Sequence, residues 1–114
     1  MGLSYGPFHL TAQTITAAII AKSPGTYVLG QQGDDNVFYI NYAGRSDEDV
    51  ATRLRQHIGT DKQFWFSYYN TAREAFDKEC QLYHDFHPPR NLVHPARPKG
   101  AKPHCPALDC DELD

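Results

Sequence analysis

Two segments decide the fold: Gly25-Thr26-Tyr27-Val28-Leu29-Gly30, and after a short gap Val37-Phe38-Tyr39-Ile40-Asn41-Tyr42-Ala43-Gly44. Both are rich in β-branched and aromatic residues, which suit a pleated, half-buried surface. Between them stands Gly33-Asp34-Asp35-Asn36, residue types that accept the tight backbone of a turn. The pattern predicts a hairpin with strands over 26–30 and 37–44.

Upstream, Thr11 to Lys22 places Ile15, Ala18 and Ile19 at helical spacing behind a plausible Thr11 cap, and Ser23-Pro24-Gly25 ends that helix. Downstream, Ser46-Asp47-Glu48-Asp49 reads as a capping box opening a helix over 47–58, stopped by Gly59. Gln63 to Tyr69 is a third strand by composition. Thr71 and Glu74 form a second capping box, and that helix runs over 71–86 until His87-Pro88-Pro89. The fold class is α/β (α+β): a small three-stranded, mainly antiparallel sheet flanked by helices. Residues 1–22 read as a helical lead-in, 23–91 as the domain, and 92–114 as a tail.

At 114 residues the chain is one domain. A net charge of −3 excludes a uniformly basic nucleic-acid coat, so any phosphate contact must be local. No segment is long and apolar enough to predict a membrane span. The start lacks the pattern of a signal peptide, and Gly6 stands where a myristoylation motif wants Ser or Thr. With no secretory signal, three cysteines point to the reducing cytoplasm and not to a disulfide framework.

Polar groups on apolar faces are the chemical signal. In the helix over 71–86, Ala72, Ala75, Phe76, Tyr83 and Phe86 make one stripe, and Glu79 projects into it. A buried carboxylate needs a cation, a metal or hydrogen-bond donors. A structural ion pair with an arginine and a functional site answer that need equally well. In the helix over 47–58, His57 lies within the Val50, Leu54, Ile58 stripe, and Arg53 shares its face four residues earlier. Arg53 could pair with Glu79, or hold a phosphate bidentately. Tyr27 and Tyr42 are strand tyrosines, which usually serve packing.

Together these residues resemble the GIY-YIG nuclease superfamily. The first motif matches Gly25-Thr26-Tyr27 with Val28-Leu29, and the second matches Tyr42-Ala43-Gly44. The Arg-x-x-x-His element matches Arg53 to His57, the glutamate helix matches Glu74 to Glu79, and Asn91 stands at the late asparagine. Thr26 and Ala43 depart from the isoleucines of the name. The resemblance covers roughly residues 23–91 and implies a metal-dependent DNA endonuclease that hydrolyses phosphodiesters with one ion, Mg²⁺ or Mn²⁺. It implies catalytic roles for Tyr27, Tyr42, Arg53, His57, Glu79 and Asn91, with Glu79 the metal ligand. Tyr27 would be the general base; His57 could take that part instead, with Tyr27 in support. Asn91 would be a supporting hydrogen-bond donor.

Contact with DNA would fall to Arg45, Arg55, Arg73, Arg90, Arg97, Lys99 and Lys102. At this size, specificity would come from a homodimer or a targeting partner protein. In the tail, His94, His104, Cys105 and Cys110 invite a structural Zn²⁺. Their spacing is loose for a zinc module, and five of the eight prolines lie between Pro88 and Pro103, which favours an extended tail. The competing functions are a catalytically silent nucleic-acid-binding or protein-interaction module on the same fold, and a small zinc-binding interaction protein.

Overall fold

The computed structural model describes residues 5–86 and 88–91. Strand β1 is Tyr5–His9, helix α1 Ala12–Ala18, strand β2 Gly25–Gln32 and strand β3 Phe38–Ser46. Helix α2 is Val50–Arg55, strand β4 Gln63–Tyr68 and helix α3 Ala72–Phe86. The fold is α+β, with one open antiparallel sheet in the order β1-β4-β2-β3.

The sheet has four strands and not the expected three. β1 occupies the segment read as helical lead-in and pairs with β4 through Tyr5 opposite Phe66 and Phe8 opposite Phe64. Its Gly6-Pro7 breaks the alternation by which strands are recognised, and the register shifts there. Proline is tolerated because β1 is an edge of the sheet, with no strand on its outer side among the described residues.

The hairpin of β2 and β3 is in the expected place, with Tyr27 opposite Gly44 and Leu29 opposite Tyr42. Period-two alternation sends Tyr27, Leu29, Phe64 and Phe66 to one face, where Ile15, Val50 and Leu54 of α1 and α2 complete the main core. Val28 and Ala43 point to the other face and pack with Leu82 of α3. The sheet therefore lies between α1–α2 and α3.

Helix α1 is shorter than the expected 11–22. Thr11 caps it by accepting from Thr14 N at 3.2 Å. Its far end stops at Ala18 because the N–H groups of Ile20 and Ala21 donate instead to the Tyr68 hydroxyl at 3.0 and 3.3 Å. Asp49, and not Ser46, is the cap of α2. After Arg55 the chain tightens into i→i+3 bonds, His57 N to Leu54 O at 3.0 Å and Ile58 N to Arg55 O at 3.4 Å. A 3₁₀-type turn advances about 120° per residue, so His57 sits in this turn beyond α2 and turns away from the direction an α-helix would give it. Among the described residues no helix is long and apolar enough to cross a membrane.

Candidate active site

Tyr27 is 2% exposed, on the α1–α2 face of β2. Its ring lies across Gly44 on the neighbouring strand: a Cβ at Gly44 would stand 2.5 Å from the tyrosine oxygen and 2.6 Å from Cζ. Only a residue without a side chain fits beneath it. The hydroxyl is 2.8 Å from His57 Nε2. Tyr42 closes the group, its ring centroid 6.3 Å from that of Tyr27 and 5.3 Å from His57.

Arg45 and Glu79 meet on the other face. Arg45 is opposite Thr26 in the ladder, on the side that α3 covers. Its Nη1 donates to Glu79 Oε1 at 2.7 Å and its Nε to Asp47 Oδ1 at 2.7 Å. Its guanidinium also sits over Phe76, 5.2 Å from the ring centroid. The Arg45 and Glu79 side chains are each 10% exposed. The cation that Glu79 requires is thus Arg45. This corrects two expectations: Arg53 is not the partner of Glu79, and Arg45 is not a free surface contact for DNA. Because β3 is the sheet edge, both faces open into one cleft of about 900 Å³, lined by Tyr27, Tyr42, Arg45, Arg53, His57 and Glu79 among others. Arg53 reaches it from the exposed side of α2, bonded to Gln56 at 3.3 Å. Lys22 and the acidic run Asp47-Glu48-Asp49 also border it.

Burial governs the protonation of the cleft. It raises Glu79 above the ordinary carboxylate value, and the Arg45 hydrogen bond and charge pull the other way. It raises Tyr27 well above an ordinary phenol, aided by Tyr42 and Glu79 and opposed by Arg53. Tyr42 is raised by burial and then by Glu79. His57 is lowered, by burial first and then by the charges of Arg90 and Arg53. For Arg45 burial opposes the charge, and the bonds to Asp47 and Glu79 overcome it. The ground state is therefore a neutral tyrosine hydrogen-bonded to a neutral histidine, beside the Arg45–Glu79 pair.

Asn91, expected as a supporting hydrogen-bond donor, is bonded to the backbone of β3. Its Oδ1 accepts from Ala43 N and its Nδ2 donates to Ala43 O, both at 2.8 Å. The side chain pairs with the outer edge of β3 at Ala43, with one bond at each end of the amide. Arg90 ion-pairs with Asp61 and lies over the Tyr42 ring, 5.7 Å from its centroid. Asp61 and Asn41, which the sequence reading missed, belong to this group: Asn41 Nδ2 donates to Asp61 Oδ1 at 2.9 Å. No local signal marks Asp61, which follows Gly59-Thr60 in what reads as a helix stop. Arg45 carried a signal, because strand alternation places it on the face of Ala43, opposite the helix that bears Glu79.

Of the remaining expected DNA contacts, Arg73 is exposed, and Arg55 is exposed with a long hydrogen bond to Thr16 at 3.4 Å. Arg97, Lys99, Lys102 and the candidate zinc ligands His94, His104, Cys105 and Cys110 lie outside the described residues. Among the described residues no three His, Cys, Asp or Glu side chains group to hold a metal. No family model, no curated protein and no solved structure matches this chain.

Proposed function

We propose that the cleft belongs to a metal-dependent phosphodiester hydrolase. Within that class the motifs resemble those of the GIY-YIG nucleases, and the reading is a DNA endonuclease. The observation that carries it is the meeting of Tyr27, Tyr42, His57, Arg53 and Glu79 in one cleft, although they come from two strands, two helices and a turn.

Glu79 fits a hard divalent cation. It is a single carboxylate at a cleft wall, and Mg²⁺ characteristically takes one or two carboxylates and keeps several waters. Arg45 occupies a lone pair of Oε1, and a carboxylate offers about four lone-pair sites. When bound, Mg²⁺ or Mn²⁺ would supply polarisation of the phosphoryl group and stabilisation of the leaving oxygen.

The chain's own groups supply proton transfer and charge. A free tyrosinate at position 27 is disfavoured by burial, so the phenol works best in series with its neighbour. As water attacks phosphorus and the P–O bond to the leaving oxygen breaks, the water proton passes to the Tyr27 oxygen while the Tyr27 proton passes to His57 Nε2, the imidazole being the Nδ1–H tautomer. This order joins the two alternatives for the base into one relay, with the neutral histidine as terminal acceptor. Arg53, exposed at the mouth, can meet the transferring phosphate bidentately. Tyr42 borders the water position from β3, and Asn91 supports it by fixing the strand.

The test is incubation of the full chain with supercoiled plasmid and branched DNA in Mg²⁺ or Mn²⁺, beside Glu79→Gln and Arg53→Ala. Metal-dependent nicking that both substitutions abolish supports the reading. Nicking that survives in both is a contaminant. Binding without cleavage on any substrate favours a catalytically silent module, for which the acidic rim at Asp47-Glu48-Asp49 is the supporting observation.

A further inference from the structure

The Asp61 side chain is only 4% exposed, yet it stands apart from the tyrosine–histidine–glutamate set. Two groups hold it, the Asn41 amide at 2.9 Å and the Arg90 guanidinium, and the Thr60 hydroxyl, 3.0 Å away, shares its one proton with His57 O at 2.7 Å. A buried carboxyl group needs such hydrogen-bond and ion-pair partners. Arg90 is also docked through its backbone, with its N–H donating to Asn41 O at 3.0 Å. The next residue, Asn91, clamps Ala43. Two successive residues of the C-terminal segment thus grip β3 on either side of Tyr42. The Tyr42 ring meets both the Arg90 guanidinium, 5.7 Å from its centroid, and the His57 ring at 5.3 Å.

We propose that Asp61 and Arg90 form a positioning pair for this site: Asp61 pins the Arg90 guanidinium to the face of Tyr42, and the docked 88–91 segment thereby sets that tyrosine against His57. Tyr42 is half-buried on β3, which among the described residues has no sheet neighbour on its outer side to hold that ring. A planar guanidinium can pair with a carboxylate and lie on an aromatic face together, which an ammonium does poorly. The pair also faces His57 electrostatically. The other groups acting there are Tyr27, which is hydrogen-bonded to it, Tyr42 and Arg53; Arg90 and Arg53 both disfavour its protonated form, and Asp61 partly offsets them. The effect on cleavage rests on the hydrolase reading; the geometry does not.

The test is a pH titration of the full chain by NMR with labelled histidine and tyrosine, comparing Arg90→Met, Arg90→Lys and Asp61→Asn. The expected result is that Arg90→Met and Asp61→Asn shift the Tyr42 ring signals alike. Arg90→Met also raises the His57 midpoint. Arg90→Lys keeps the midpoint near that of the parent while the Tyr42 signals still move. Unmoved Tyr42 signals in Arg90→Met and Asp61→Asn, or an unmoved His57 midpoint in Arg90→Met, would overturn the proposal. Should Arg90→Met not fold, Arg90→Lys supplies the ring readout. With a DNA substrate, Asp61→Asn lowers kcat roughly ten- to a hundredfold while KM stays within about twofold. A raised KM with kcat retained would make Arg90 a substrate contact and overturn the positioning role. The NMR arm needs no substrate, so absence of nuclease activity would sink the hydrolase reading and leave the positioning result standing.

Discussion

The Tyr27 hydroxyl and His57 Nε2 lie 2.8 Å apart, joining the middle of a buried strand to a turn 30 residues away. Tyr27→Phe removes this bond and little volume. The ring stays in the core, so the stability cost is about 1 kcal/mol, the net worth of one hydrogen bond. Cleavage falls far more, on the order of a hundredfold or beyond, as for loss of a general base. Urea unfolding and plasmid nicking measured on the same preparation separate the two effects. A variant that unfolds easily but cleaves normally would show that the bond is structural only.

The acid side of the pH profile follows from the same pair. Burial, then Arg90 and Arg53, hold His57 below its ordinary value, which is about 6.5. Protonation occupies the Nε2 lone pair that receives the Tyr27 proton, so the rate stays on its plateau at neutral pH and falls as pH drops through the folded value. Stability has the same sign for this group. The unfolded chain takes the proton first, so the His57 contribution is full above about pH 6.5 and is lost as pH falls through the folded value. Glu79 has the opposite sign. Burial raises it, so its contribution is full below the ordinary value, about 4.3, and is lost as pH rises through the folded one. Urea midpoints between about pH 4 and 8, for the parent and His57→Gln, check this. A His57-dependent limb centred above pH 7 would contradict it.

The Arg45–Glu79 pair predicts that two Glu79 substitutions behave differently. Glu79→Ala leaves an arginine side chain that is 10% exposed with Asp47, itself 34% exposed, as its remaining carboxylate partner. Breaking a buried pair this way costs roughly 3 kcal/mol, the low end for such changes, because Asp47 remains. Glu79→Gln keeps an acceptor for Arg45 and should stay folded at nearly the parent stability. It should still lose metal-dependent cleavage, because the charged ligand is gone. Equal urea midpoints for the Ala and Gln variants would show that the ion pair carries no stability.

How much of this was legible beforehand follows from which residues signal locally. The hairpin was readable because composition and turn chemistry agreed, and Glu79 because one carboxylate interrupted an apolar stripe. Its partner was misread because Arg53, four residues from His57 on an apparent helix, looked like the inward cation. The 3₁₀-type turn after Arg55 separates the two, and strand alternation, which puts Arg45 on the face of Ala43, was a cue left unused. β1 was hidden by Gly6-Pro7, which an edge strand tolerates and a sequence pattern does not. Asp61 acquires its role only through Asn41 and Arg90, which approach it from 20 and 29 residues away.

Asn91 predicts a stability effect with a smaller chemical one. It supplies both a donor and an acceptor to the Ala43 backbone at 2.8 Å, closing an edge that water would otherwise solvate. Asn91→Ala should cost about 1–2 kcal/mol, two hydrogen bonds at their net worth. Asn91→Asp keeps the acceptor and loses the donor, so it should fall between parent and Ala. Urea unfolding of the three chains gives the order. An Asn91→Ala chain as stable as the parent would argue against the clamp.

Gly44 predicts an activity loss that should not add to that of Tyr27. A Cβ there meets three atoms of one side chain, the Tyr27 oxygen at 2.5 Å, Cζ at 2.6 Å and Cε1 at 3.0 Å. The ring is buried and its neighbours are packed, so the strain costs about 1–3 kcal/mol. The ring must slide, and its hydroxyl leaves His57. Gly44→Ala should therefore lower cleavage about as far as Tyr27→Phe does. In the double variant the activity loss should be close to that of either alone, since both act by breaking the same hydrogen bond. Losses that multiply would mean that Gly44 serves the site by another route, such as the close approach of substrate to bare backbone.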